Sequence, residues 1–224
     1  MILKRLGLAL ILVIGAAILG ALLVAPVRAQ GLDKGSTILS LQLAHGDGDF
    51  ATPEIFDNPA PGYITAYDHT EWGGQLQLQH LTSPNWAIAF SAGIGTTSET
   101  DSPGLNAAPG SPDLDYSQSS WNVRLGMDRF AHISPDFHLY VGPGIQYWSG
   151  KAEFEDDTAS VESESANRIA LSGRLGAIVG LGGSVSLNGH LGGYIGKASA
   201  DDEGAEASWT PSGHDGAVGI AFVF

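Results

Sequence analysis

Few side chains in this 224-residue chain stand at spacings that do chemistry. His132-Ile133-Ser134 sets an imidazole two residues from a hydroxyl, which is half of a hydrolase triad once a carboxylate orients the imidazole. His45 and His214-Asp215 offer the same parts from distant positions, with no serine assigned to them. Glu155-Asp156-Asp157 and Asp201-Asp202-Glu203 cluster carboxylate oxygens of the kind a hard divalent cation takes several at a time. Neither cluster has EF-hand spacing, and a solvated, repulsive acidic surface is the simpler reading. The glycines of Leu181-Gly182-Gly183 read as a turn between strands, because no helix follows to make a phosphate loop. With no cysteine, disulfides, thiolate metal sites, thiol nucleophiles and a lipoprotein anchor are excluded. No cofactor is expected.

Charge narrows the field further. Lys and Arg number 10 against 24 Asp and Glu, a formal net charge of −14, which argues against a nucleic-acid partner. Charged residues are only 15% of the chain and glycines number 31, a composition that leans towards β structure.

Met1 to Gln30 stand apart. Lys4 and Arg5 precede an unbroken apolar run from Leu6 to Val24, followed by Pro26 and the small-residue site Val27-Arg28-Ala29. This is the layout of a secretory signal peptide cleaved after Ala29, leaving 30–224 as one domain. The run is also just long enough to span a bilayer as a retained anchor.

The rest of the chain repeats a period of two, the mark of strands with two unlike faces. Trp86, Ile88, Phe90, Ala92 and Ile94 alternate with Ala87, Ala89, Ser91, Gly93 and Gly95. Similar segments begin near Leu39, Trp72, Trp121, Phe137, Arg168, Val185 and Ala217, so eight strands are expected. A soluble sandwich would turn a charged face to water. Here the less apolar face carries Gly, Ala, Ser, Asn and Gln, the side chains that a narrow barrel lumen holds while the apolar face meets lipid. Aromatics at strand ends, among them Trp72, Trp86, Trp121, Phe137, Tyr147 and Phe224, fit interfacial girdles. Short connections (82–85, 130–136, 181–183) alternate with long polar ones (46–70, 98–116, 149–166, 197–212), as when every long loop lies on one side of a membrane. Most of the acidic residues lie in the long loops. On the lumen face the same parity places Glu71, Arg124, Asp128, His138, Tyr140, Arg168, Arg174, His190, Tyr194 and Asp215. Buried arginines need acceptors, so a side-chain network filling the lumen is expected in place of an open pore.

The chain ends Val218-Gly219-Ile220-Ala221-Phe222-Val223-Phe224, which resembles the terminal signal of bacterial outer-membrane β-barrels. Leader, eight strands, unequal loops and terminal Phe together resemble the small barrels of the OmpA membrane-domain, OmpX/Ail and opacity-protein type, without OmpA's periplasmic domain. The resemblance implies an all-β, closed, eight-stranded antiparallel transmembrane barrel in a Gram-negative outer membrane. Its partners would be outer-membrane lipid and lipopolysaccharide, the assembly machinery reading the strand that ends at Phe224, and divalent cations at the acidic loops. The role implied is a non-enzymatic surface protein serving envelope integrity or adhesion. The alternative is sideways passage of small apolar molecules, as in the OmpW type, through a wall opening beside Pro143. A lipid A-modifying enzyme comes third.

Overall fold

A computed structural model describes residues 32–48, 69–101, 114–155, 160–162, 165–202 and 205–224, several at the loop-side strand ends as backbone only. The leader predicted over 1–29 lies outside the described residues, as do Asp156, Asp157 and Glu203. Glu71, Glu155, Asp201 and Asp202 are backbone positions alone.

Ten strands form: β1 (Thr37–Gly48), β2 (His69–Ser83), β3 (Trp86–Asp101), β4 (Leu114–Ser134), β5 (Phe137–Glu155), β6 (Ser160–Glu162), β7 (Ala166–Gly182), β8 (Val185–Asp202), β9 (Ala205–Trp209) and β10 (Ser212–Val223). Eight of them close a ring, every pair antiparallel, with β10 bonded to both β8 and β1. Closure reaches the last residue, where Thr37 and Phe224 exchange backbone hydrogen bonds of 3.0 and 2.9 Å. The short β6 and β9 pair with the loop-side extensions of β5 and β8.

Register fixes the girth. Paired positions followed once round the ring from Gly46, by way of Asp215, Gly192, Arg174 and on to Leu81, return to Ser36, ten residues back along the chain. Eight strands with that stagger tilt steeply and enclose space that side chains fill.

The two faces follow the sequence parity. Outward, Leu125, Leu171 and Leu191 are 61%, 66% and 75% exposed, while inward Gln77, Gln79 and Asp128 are fully buried. Apolar side chains exposed on every barrel strand over a polar interior invert the order of a soluble protein, and only a lipid phase makes that order favourable. Trp86 and Phe224 face outward near the turn end, and Trp72 and Trp121 near the loop end, forming two girdles.

Strand lengths differ from expectation. β4 begins at Leu114 and β5 ends at Glu155, so much of what reads as loop in 98–116 and 149–166 is paired sheet. Hydropathy alternates only where one face meets lipid. Beyond that band the outer face meets water in place of lipid, the apolar alternation stops, and the ladder continues without it. At the other end the turns are tight. Gly182 and Gly183 have φ of 107° and 59°, left-handed values that favour glycine between β7 and β8.

Inside the turn end lies an apolar floor. Leu32, just before β1, is buried with Ile38, Leu81, Phe130, Tyr140 and Ile178, and closes the lumen towards the termini. Leu125→Arg, outward and mid-strand, is expected to destabilise the barrel by ~2–4 kcal/mol, measured by urea unfolding in lipid vesicles. An unchanged midpoint would contradict the lipid-facing assignment.

Candidate functional site

Alternating small and polar residues on eight tilted strands bring distant side chains across the lumen. Arg174 on β7 donates from Nε and Nη2 to the two oxygens of Asp128 on β4, at 3.1 and 2.5 Å. Its Nη1 donates to Gln77 Oε1 at 3.0 Å, and Gln79 Nε2 donates to Asp128 Oδ2 at 2.7 Å. The Tyr140 ring lies under this fork, with Arg174 Cζ 5.4 Å from its centroid. Tyr140 in turn donates to Asn188 Oδ1 at 2.9 Å, and Asn188 Nδ2 donates to Ser40 Oγ at 2.7 Å. These bonds tie β1, β2, β4, β5, β7 and β8 together across the interior. Gly176 makes the room, since a Cβ there would collide with the Tyr140 ring.

Above this layer Arg124 is paired differently. Nε donates to Ser172 Oγ at 3.0 Å and Nη2 to the Gly142 carbonyl at 3.1 Å, both neutral acceptors. Gly126 and Gly144 form its slot, because a Cβ on either would run into the guanidinium. Higher still, Arg168 lies over the Tyr194 ring at 3.9 Å and near Trp148 at 5.3 Å.

Two spaces remain. A vestibule of about 60 Å³ on the loop side is bordered by Gln75, Asn122, Trp148, Arg168, Tyr194 and Asp215. Below it a cavity of about 10 Å³, room for one water-sized group, is bordered by Arg124, Gln146, Ser172, His190 and Asp215. Asn122, Gln146 and Asp215 border both.

A third feature lies outside. The β4–β5 ladder runs in register from both ends but lapses at Met127 opposite Pro143 and Asp128 opposite Gly142. Pro143 has no N–H to return to β4, so the lapse follows from the residue itself. Over it and its neighbours runs an open apolar groove of about 580 Å³, bordered by Trp86, Val141, Pro143, Gly173, Leu175 and Leu191. Gly173 and Arg174 border both groove and inner cavity, so one layer of backbone separates them.

Asp128, Tyr140 and Arg174 therefore meet in one layer, with Arg124, His190 and Asp215 around the cavity above and Arg168 at the vestibule. His138 sits apart at the turn end, where its Nδ1 lies 2.9 Å from Nδ1 of His132, whose Nε2 is 2.7 Å from the Pro84 carbonyl. Gln77, Gln79 and Asn188 are the network members that charge alone does not single out. Their signal was the alternation of Gln75, Gln77 and Gln79 with Leu76 and Leu78, which sets three amides on the lumen face.

The triad candidates do not assemble. His214 and Asp215 are successive strand residues and point to opposite faces, with Asp215 bordering the lumen. The His45 and His214 rings lie 6.3 Å apart, and His45 packs edge-on against Trp72 at 4.6 Å. His132 is held by His138 and Pro84 at the turn end. Among the described residues no three His, Asp or Glu side chains could hold a metal ion, and the acidic clusters at 155–157 and 201–203 lie outside the described side chains.

No protein-family model and no curated protein matches the sequence. Solved structures do. The outer membrane protein OprG from Pseudomonas aeruginosa superposes with a TM-score of 0.56 at 16% identity, covering 88% of this chain and 99% of that one. Ail, the attachment invasion locus protein of Yersinia pestis, gives a TM-score of 0.47 at 14% identity, covering 85% and 99%. The likeness to OprG shows a shared fold, the closed eight-stranded outer-membrane barrel. With its lipid-facing exterior, the protein is a transmembrane β-barrel with the fold of the outer-membrane barrels.

Removing one partner of the central ion pair leaves the other charge buried, so Asp128→Ala is expected to cost ~3–5 kcal/mol. The double change Asp128→Leu with Arg174→Met removes both charges and should recover most of that loss. Urea unfolding of the refolded variants checks both, and additive losses would contradict the coupling.

Proposed function

We propose that this protein is a non-enzymatic conduit that takes small, mainly apolar molecules from the vestibule and releases them sideways into the membrane. The observation that carries the reading is the lapse in the β4–β5 ladder at Pro143, under an apolar groove that also borders Gly173 and Arg174, the two residues it shares with the inner cavity. A straight path is closed by the Arg174–Asp128 layer and the apolar floor beneath it. A molecule entering from the loop side therefore has one thin wall to cross, made of Pro143 and residues without Cβ atoms at Gly142, Gly173 and Gly192. Parting strands there forfeits few hydrogen bonds, because one is already missing.

A second reading, a static surface protein that contacts a host, matrix or cations, draws on the sheet beyond the membrane. There Glu153 stands opposite Glu162 and Asp201 opposite Glu206, concentrating acidic sequence on the paired extensions.

Two variants separate these readings. Pro143→Ala restores the missing donor, worth about 1 kcal/mol. Gly173→Leu fills the groove from a position where a Cβ meets nothing within 4 Å. Both should fold and keep the heat-dependent electrophoretic shift of a closed barrel. Each should lower uptake of the apolar dye N-phenyl-1-naphthylamine several-fold in cells carrying the protein. Uptake equal to that of the unaltered protein in both variants would contradict sideways passage and favour the surface role.

A further inference from the structure

The inner cavity has an unusual pair of charges. Arg124 is more than nine-tenths buried, yet among the described residues it bonds only to Ser172 Oγ and the Gly142 carbonyl and meets no carboxylate at ion-pair distance. Across the same cavity, Asp215 rests over Gly192, where any Cβ would collide with its Oδ1. Among the described residues Asp215 takes part in no ion pair and accepts no side-chain hydrogen bond. Gln146 and His190, both more than nine-tenths buried, line this space and each holds a polar atom, Oε1 and Nδ1, without a hydrogen-bond partner among the described residues. A cationic donor and an anionic acceptor thus border space for one water-sized group, beside two residues whose hydrogen bonding is incomplete.

We propose that this cavity is a head-group site for hydroxyl-bearing apolar molecules, an inference that rests on the sideways path and names its substrate class. A hydroxyl fits the volume, and it both accepts and donates. Its oxygen accepts from the Arg124 guanidinium and its hydrogen goes to the Asp215 carboxylate, so one neutral group engages both charges. A carboxylate head would be drawn to Arg124 but repelled by Asp215. An ammonium head meets the reverse, and an alkane leaves every polar atom unengaged. The tail then leads out through the lapsed β4–β5 pairing at Pro143 into the groove, which borders Arg129, Gly142 and Pro143.

The test is a titration of the refolded barrel in phosphatidylcholine nanodiscs with 1-decanol, decane, decanoate and decylammonium. Asp is ¹³C-labelled at the carboxyl and Arg ¹⁵N-labelled in the side chain. Decanol is expected to shift the Asp215 carboxyl and Arg124 guanidinium signals saturably, binding about ten- to a hundred-fold tighter than the other three, the range for a hydrogen bond to a charged group. Asp215→Asn, which keeps size and shape, should abolish that preference while the barrel still shows its heat-dependent mobility. Arg124→Gln, which keeps a donor, should weaken it. Equal binding of decanol and decane, a preference unchanged in Asp215→Asn, or no binding by any probe would each overturn the head-group site. Dye uptake that still responds to Pro143→Ala would leave the sideways path standing in that event, whereas a lost uptake response with intact decanol binding would overturn only the path.

Discussion

A hydrocarbon phase offers no hydrogen bonds to a peptide group, so each N–H and C=O that enters it must find its partner within the protein. Almost everything about this molecule answers that constraint. The chain meets it by closing eight strands into a ring and carrying the ladder to its final residue, where Phe224 bonds to Thr37. Closure fixes a register, the register fixes a stagger of ten, and the stagger sets the space that the inward side chains must fill. The position that departs from the constraint, Pro143, stands opposite Gly173, which borders both the outer groove and the inner cavity.

The lumen obeys a related rule with different means. Its side chains are removed from water, so each charge needs a partner close at hand. The Arg174–Asp128 fork, with Gln77 and Gln79 bonded to it, pairs both of its charges and binds strands far apart in sequence, although Gln77 Nε2 and Gln79 Oε1 keep no partner among the described residues. Arg124 and Asp215 meet it only in part, one layer higher and beside the thinnest wall. Paired charges below and, among the described residues, an unpaired arginine and carboxylate above give the barrel a firm floor and an open middle, which suits entry from one side and exit through the wall.

Much of this was legible in the residues and some was not. Strand number, the two faces, the closed ring and the lumen residues follow from a period of two, because a lipid face and a lumen face differ in every residue pair, as at Leu125 against Arg124. Strand ends beyond the membrane do not read as strand, since outward residues such as Ser117 carry no apolar signal once the outer face meets water. The pairing of Arg174 with Asp128 in preference to Asp215 was not readable, because it depends on stagger, and stagger is the sum of registers that no single segment encodes. Pro143 could be marked as a missing donor from sequence. Whether the gap fell towards β4 or β7 required the ladder itself. The same limit applies to His214 and Asp215, adjacent in sequence and separated by the wall of the barrel.

The most direct measurement is amide hydrogen exchange along β4 in lipid nanodiscs, in the natural protein and in Pro143→Ala. The missing bond is the donor from Pro143 to the Met127 carbonyl, so the account requires local opening there: the Met127 and Arg129 amides, which bond to β5 on either side of it, exchange faster than those of Val123 and Leu125, although all lie at membrane depth, and the substitution, by supplying that donor, slows them to the level of their neighbours. Uniform protection along β4 in the natural protein, unchanged by the substitution, would mean that the wall beside Pro143 is sealed, and the sideways path would have to be abandoned.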